Sequence, residues 1–249
     1  MDMWHKKSDK YSIKKTKAIT PLCISIEREN NEIVKLLLKN KKIDINIQSQ
    51  IKVKYNKFYQ NSKNRISDGC VFKTVSPLQL TIENENSELI KLILSFDNLD
   101  INNYNEYSES KYEYDIDRAL ISSLFYAVEK ENIEIVKLLL ENKNINHKQI
   151  NIYEYKNHDS DTRIYRVERT ALHIAIEKEN IDINLLLKSG FYDINFPMVY
   201  FNYQDYHEEW DISVEKFEKT PLHIIVEKRN IKITELLLSI MKMLMQMHF

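Results

Sequence analysis

The densest group of side chains that could do chemistry lies late in the chain, in the segment Asp205-Tyr206-His207-Glu208-Glu209-Trp210-Asp211. Carboxylates and an imidazole are ligands that proteins use to bind divalent metal ions. The order of these residues meets none of the ligand spacings of metal-site motifs. We therefore interpret the segment as an exposed hairpin tip and predict no metal site.

The other catalytic and ligand-binding motifs are absent. Asp159-Ser160-Asp161 resembles the start of a calcium loop, but no glycine follows at the sixth position and no glutamate at the twelfth. Two glycines, Gly69 and Gly190, cannot build a phosphate-binding loop. The sequence has no His-Glu-x-x-His, Cys-x-x-Cys or Gly-x-Ser-x-Gly motif. We predict no catalytic residues, no cofactor and a protein that is not an enzyme.

Composition narrows the classes of partner. The 36 lysines and arginines balance 37 aspartates and glutamates, whereas nucleic-acid binding needs a basic surface. Only residues 1–17 are basic, and we interpret them as a short solvated arm. Cys23 and Cys70 form no disulfide framework, and the chain has neither an apolar leader nor eighteen consecutive apolar residues. We expect an intracellular, cytoplasmic protein that binds neither nucleic acid nor membrane.

One phrase occurs five times: Thr or Ser two residues before Leu, a polar turn ending in Asn, and three consecutive apolar residues. The copies begin at Thr20, Ser76, Ser122, Thr170 and Thr220. The starting hydroxyl can cap a helix, and proline at the first helical position loses no needed donor. Apolar residues then recur at helical spacing. Each copy therefore predicts two helices whose apolar faces only neighbouring copies can bury.

These phrases resemble the ankyrin repeat, whose signature is Thr-Pro-Leu-His-x-Ala. Residues 170–175 match it at five of six positions, and residues 220–223 match the first four. The resemblance implies an all-α repeat solenoid, an ankyrin stack of ten helices in five pairs with extended β-hairpin fingers. It also implies that His173 and His223 are structural.

The ankyrin pattern has glycine at the turn between the two helices of a repeat. Here asparagine stands in for it, at Asn30, Asn86, Asn132, Asn180 and Asn230. Asparagine tolerates the left-handed backbone conformation better than any other residue except glycine. We therefore predict that the left-handed turn residue is the asparagine.

We expect a single ankyrin-repeat domain over residues 1–249. Successive starts are 46 to 56 residues apart, whereas the standard repeat is about 33 residues. The repeat cores lie at about 18–46, 74–102, 120–146, 168–195 and 218–240. The finger insertions lie at about 47–73, 103–119, 147–167 and 196–217. Their period-two pattern around polar turns predicts hairpins, which we expect to pair into a ribbon beside the helices.

Twelve of the 15 tyrosines lie in the four insertions. Tyrosine is enriched at protein interfaces because it offers large, stiff contact area with a polar tip. The alternative, that these rings only hold the hairpins together through cross-strand pairs, stays open. The insertion residues that we predict to bind a partner are Tyr55, Tyr59, Tyr104, Tyr107, Tyr112, Tyr153, Tyr155, Tyr165, Tyr203, Tyr206 and Trp210.

The resemblance implies that a protein partner binds the concave surface made by fingers and first helices. The first-helix residues expected there are Glu27, Arg28, Glu83, Glu177, Lys178, Glu227 and Lys228. We predict a non-catalytic protein–protein interaction module or scaffold with an unidentified protein partner. Two alternatives remain: a structural protein that self-assembles through its fingers, and the targeting region of a larger enzyme.

The end of the fifth copy is rich in methionine, with four of the seven between residues 241 and 247. We predict that the last helix continues past Leu238. Its apolar stripe, formed by Ile240, Met243, Leu244 and Met247, would be uncapped or covered by another chain, which allows self-association. A disordered tail is the alternative.

Overall fold

A computed structural model describes residues 10–58, 67–110, 117–157, 162–179, 183–189, 194–206 and 211–247. Within these ranges the helices are α1 Pro21–Glu27, α2 Asn31–Leu38, α3 Pro77–Glu83, α4 Ser87–Leu94, α5 Ser123–Glu129, α6 Ile133–Leu140, α7 Ala171–Lys178, α8 Ile183–Lys188, α9 Pro221–Glu227 and α10 Ile231–Met247. The strands are β1 Lys10–Ala18, β2 Ser49–Phe58, β3 Ser67–Val75, β4 Tyr104–Ser110, β5 Asp117–Ser122, β6 Asn151–Asn157, β7 Thr162–Arg169, β8 Met198–Tyr206 and β9 Asp211–Lys219.

The ten predicted helices are confirmed in the described ranges. Each first helix begins at the Thr or Ser of the repeated phrase, and the Thr20 Oγ1 accepts a hydrogen bond of 3.1 Å from the Cys23 N–H. The first helices α1, α3, α5, α7 and α9 pack side by side. The core lies between them and the second helices, where Ile90, Val136 and Leu139 are fully buried.

Asparagine side chains join successive repeats. Asn46 accepts a hydrogen bond from the Asp100 N–H and donates one to the Asn98 carbonyl, both at 2.8 Å. Asn102 makes the same two bonds, at 2.8 Å, with Asn146 and Asn144 of the next repeat. The backbone that leads from each helix pair to its finger therefore obtains hydrogen-bond partners from the neighbouring repeat.

The prediction that asparagine adopts the left-handed conformation is wrong. The residue before it does so: φ is +54° at Glu29, +53° at Glu85 and +62° at Glu131. Asn86 has a φ of −88° and begins the second helix, where its Oδ1 accepts a hydrogen bond of 3.1 Å from the Leu89 N–H. The asparagine is placed there because its side chain caps the helix.

The prediction of an all-α class is also wrong. The nine strands form one antiparallel sheet in the order β1 to β9, so the predicted ribbon is a second layer beside the helices. The fingers pair because an isolated hairpin is marginally stable and leaves both of its edges unpaired.

The sheet includes the segment that we expected to be a solvated arm. Residues 10–18 form β1, which pairs with β2 from Lys10 opposite Phe58 to Ala18 opposite Gln50. The sequence alone suggested a solvated segment because four of its nine residues are lysine and the partner strand begins about 30 residues later. Residues 1–9 lie outside the described part of the chain.

The last helix continues past Leu238 to Met247, as predicted. Ile240 is buried, whereas Leu238 is half exposed. The side chains of Met243, Leu244 and Met247 lie outside what the structure describes. The apolar stripe on this helix therefore stays a prediction.

Candidate functional site

One face of the sheet, the inner face, lies against the C-terminal ends of the first helices. Partners directly opposite each other on antiparallel strands point to the same face. The register therefore places one row of residues across this face: Lys17, Ile51, Lys73, Tyr107, Ala119, Tyr153, Val167, Tyr200 and Phe217. Between this row and the first helices runs the groove in which the predicted partner surface would lie.

Ion pairs between the inner face and the helices span the groove in four of the five repeats. In each, a strand cation meets the last glutamate of the first helix. The pairs are Lys17–Glu27 at 3.0 Å, Lys73–Glu83 at 2.6 Å, Arg169–Glu177 at 2.6 Å and Lys219–Glu227 at 2.8 Å. All are partly exposed, so each stabilises the fold by at most about 1 kcal/mol. Each pair connects the end of a first helix to the strand that precedes it in the chain.

The third repeat differs from the other four. Its glutamate, Glu129, forms no ion pair with any residue that the structure describes, and its one hydrogen bond there comes from the Tyr153 hydroxyl at 3.4 Å. The strand positions that supply a cation elsewhere hold Ala119 and Ile121. Burial and the nearby Glu129 charge raise the pKa of Tyr153.

Arg169 connects the third and fourth repeats. Its guanidinium lies 4.9 Å from the Tyr153 ring centroid and 5.5 Å from that of Phe125, besides pairing with Glu177. The Phe125 and Tyr153 rings are themselves 5.9 Å apart. Tyr153 is therefore mainly a packing residue that presents its hydroxyl to the groove.

Two adjacent cavities open on the inner face and share Tyr155. The first has a volume of about 410 Å³ and is lined by Tyr165, Val167, Tyr200 and Phe217. The Tyr155 and Tyr165 rings stack at its rim, with centroids 5.1 Å apart. Large aromatic surface around an open cavity is typical of the buried centre of protein interfaces.

The second cavity, which we call the third-repeat pocket, has a volume of about 350 Å³. It lies at Glu129, and its other lining side chains include Tyr107, Asp117, Ala119, Tyr153 and Tyr155. It combines carboxylates with tyrosine rings.

The other predicted tyrosines are distributed over several surroundings. Tyr104 donates a hydrogen bond of 2.6 Å to the Ile150 carbonyl and so joins two repeats. Tyr203 points to the opposite, outer face, where its ring stacks on Phe201 with centroids 6.0 Å apart. Tyr55 and Tyr206 lie in strands, but the structure does not describe their side chains. Tyr59, Tyr112 and Trp210 lie outside the described residues.

The predicted first-helix residues border the groove, and most have partners in the chain. Besides the four glutamates above, Lys178 pairs with Glu131 at 3.1 Å, and Lys228 pairs with Glu179 at 3.1 Å. Both pairs connect successive repeats. Arg28 is exposed.

The sequence reasoning missed the third repeat's contribution to the groove. Glu129 and Lys130 occupy the same offsets from their repeat start as the residues predicted in the other repeats, and Tyr126 lies one helical turn earlier. Burial, with the Glu83 and Glu129 charges, raises the pKa of Tyr126 to about 12. The Lys130 ammonium lies 5.4 Å from the Tyr126 ring centroid. Counting offsets from Ser122 would have found Glu129 and Lys130.

The histidine of the fourth repeat is structural, as the resemblance implied. His173 is fully buried; its Nδ1 accepts a hydrogen bond of 3.1 Å from the Thr170 N–H, and its Nε2 lies 3.1 Å from the Phe196 carbonyl. Burial lowers the pKa of His173 to about 4. The ring is therefore neutral at physiological pH, with its proton on Nε2.

No group of three potential metal ligands occurs among the residues that the structure describes. Residues 207–210 of the predicted hairpin tip, and residues 158–161 of the calcium-loop-like segment, lie outside them. Nor does the described part of the chain contain a helix that is long and apolar enough to cross a membrane.

Comparison with known proteins gives a family. A family model of ankyrin repeats in three copies matches residues 124–246, and the ankyrin-repeat model matches residues 19–50. Together the two matches cover more than half of the chain. No curated protein matches the sequence significantly.

Proposed function

Because the chain belongs to the ankyrin-repeat family, we propose that it binds a protein partner in the groove between the inner face of the sheet and the first helices. Ankyrin repeats are generally protein–protein interaction modules, and the family is typically non-catalytic. In this proposal the chain acts as a scaffold and catalyses no reaction.

The two cavities that share Tyr155 carry the proposal. They adjoin each other on the inner face, and Tyr155 is 45% exposed although its ring stacks on Tyr165. Stiff aromatic side chains beside a preformed cavity are what a partner side chain needs as an anchor. Ion pairs connect the strands to the first helices along the same groove.

The test compares substitutions on the two faces of the sheet. We expect the double variant Tyr155→Ser/Tyr200→Ser to capture smaller amounts of bound proteins from a cell extract than the wild type does, because both rings line the groove cavity. The matched control is Tyr203→Ser on the outer face, which removes a similar ring. Equal capture by the groove variant, the control and the wild type would contradict the proposal.

A second candidate, self-assembly through the fingers, has one observation in its favour. Strand β9 is at an edge of the described sheet and exposes Val214 and Phe217, by 52% and 56%. Exposed edge strands can pair with another chain, whereas lysines on the edge oppose such pairing. Light scattering measures the molecular mass at several concentrations. A mass that rises with concentration in the wild type but not in Val214→Lys would favour self-assembly over partner binding in the groove.

A further inference from the structure

The five repeats provide an internal comparison at one position. The last glutamate of the first helix meets a strand cation in repeats one, two, four and five. The cation stands three residues before the repeat start in repeats one and two, and one residue before it in repeats four and five. In the third repeat these positions are Ala119 and Ile121, so neither can supply a charge.

The third-repeat pocket lies where this cation is missing. Ala119 is flanked in the sheet by Tyr107 and Tyr153, and all three side chains line the third-repeat pocket. The cavity of about 350 Å³ brings Glu129 and Asp117 together with these rings. Tyrosine faces attract cations, and the attraction grows when the cation is partly removed from water.

The cations nearby are already engaged. Arg118 pairs with Glu106 at 2.9 Å, and Arg169 pairs with Glu177. Lys130 lies over the Tyr126 ring. Among the residues that the structure describes, none therefore neutralises Glu129.

We propose that the third-repeat pocket binds a lysine or arginine side chain of a partner polypeptide, which completes the ion pair that the chain's own strands complete in the other four repeats. This inference rests on the proposed function and names the chemistry of the partner at one position.

Arginine is the better ligand of the two. Its planar guanidinium can stack on an aromatic ring while it donates to a carboxylate. Arg169 shows this arrangement one repeat away, since it lies over Tyr153 and Phe125 while it pairs with Glu177. An incoming arginine would find the same elements in Tyr107, Tyr153 and Glu129.

The experiment selects binders from a random peptide library displayed on phage, with the whole purified chain as target. Dissociation constants of the selected peptides are then measured by fluorescence anisotropy. Each basic residue is replaced in turn by citrulline, which keeps the shape of arginine and removes its charge. We expect one citrulline replacement in each groove-binding peptide to weaken binding at least tenfold.

Four protein variants locate the charge that the peptide meets. Glu129→Gln removes the carboxylate, and Ile121→Arg supplies the cation from within, as Arg169 does in the fourth repeat. Both should weaken the arginine peptide at least tenfold and abolish its preference over the citrulline peptide. Ile121→Gln is the uncharged control for lost packing, and Glu218→Gln, which removes an exposed outer-face carboxylate paired with Lys216, is the control for net charge. Both controls should retain the preference.

The outcomes separate this inference from the proposed function. The inference would be overturned by groove-binding peptides whose dissociation constants change neither on replacement of arginine by citrulline nor on the Glu129→Gln substitution. That result would leave the proposed function standing. A library that yields no groove-binding peptide would count against both.

Discussion

At the scale of single residues, charged side chains with partners in two elements connect the layers of the molecule. Arg169 is the clearest case, because one guanidinium contacts rings from β6 and α5 and a carboxylate from α7. Its Nε is buried without a hydrogen-bond partner among the described atoms, so the side chain is held by packing as well as by charge. Lysine could not replace it, since an ammonium cannot stack on two rings.

His173 gives a prediction that concerns pH. Its pKa is lowered to about 4 in the folded chain, whereas an unfolded histidine has a pKa of about 6.5. Between these values the unfolded chain binds the additional proton, so the free energy of unfolding decreases as the pH is lowered from about 6.5 to about 4. We expect His173 to contribute about 3 kcal/mol to this decrease.

The measurement is urea unfolding of the wild type and of His173→Gln at several pH values. Subtracting the two curves removes the carboxylates that both chains share. The stability difference should shrink as the pH falls through this window. A difference that is independent of pH between 7 and 4 would mean that the histidine is not held neutral.

At the scale of elements, the sequence predicted the helices well because each carries its own signals. The capping Thr or Ser, the proline and the apolar spacing are all local. The turn was misplaced by one residue, because asparagine suits both a left-handed turn and a helix N-cap. Only the backbone angles distinguish Glu85 from Asn86 as the left-handed residue.

This correction predicts opposite effects at two adjacent residues. Glu85→Gly should stabilise the chain by up to about 1 kcal/mol, because glycine adopts a positive φ without steric cost. Asn86→Ala should destabilise it by about 1 kcal/mol, because the Leu89 N–H loses its acceptor. Thermal or urea unfolding measures both, and the reverse ranking would restore the asparagine as the left-handed residue.

Strand pairing was harder to predict than the helices. A strand has no partner within itself, so the lysine-rich residues of β1 gave no sign that they would add an edge to the first finger. The candidate site shows the same limit. Tyr155 and Tyr165 were predicted from composition, but the importance of Glu129 follows only from comparing five structural positions and finding one without a cation.

At the scale of the whole molecule, helices and sheet are two layers that run along the same repeats. Each repeat contacts its neighbours through the first helices, the asparagine bonds and strand pairing. That residues 1–249 form one domain stays a prediction. A single domain should unfold cooperatively, because neighbouring repeats are coupled both through the helices and through the sheet.

We therefore expect the far-ultraviolet circular dichroism of the helices and the fluorescence of the finger tyrosines to change together in urea. Because twelve of the 15 tyrosines lie in the insertions, tyrosine emission, read at wavelengths shorter than those of Trp4 and Trp210, reports mainly on the sheet. Leu139→Ala, which truncates a fully buried helix residue, should lower both midpoints equally, at a cost of about 2–5 kcal/mol. If the two probes gave different midpoints, and Leu139→Ala lowered only the one measured by circular dichroism, the helices and the sheet would unfold independently.

The strictly sequential order of the strands has a consequence for synthesis on the ribosome. Every strand pairs only with the strands before and after it in the chain. A strand that has been translated can therefore pair without a segment that is far away in the sequence. At about 5–20 residues per second, a repeat of roughly 50 residues emerges every 3–10 s. Each new helix pair can then pack against a neighbour that is already folded, and each new finger can pair with the existing edge of the sheet. Growth from the amino terminus thus leaves one incomplete repeat at a time exposed, and chaperones would need to protect little more than that.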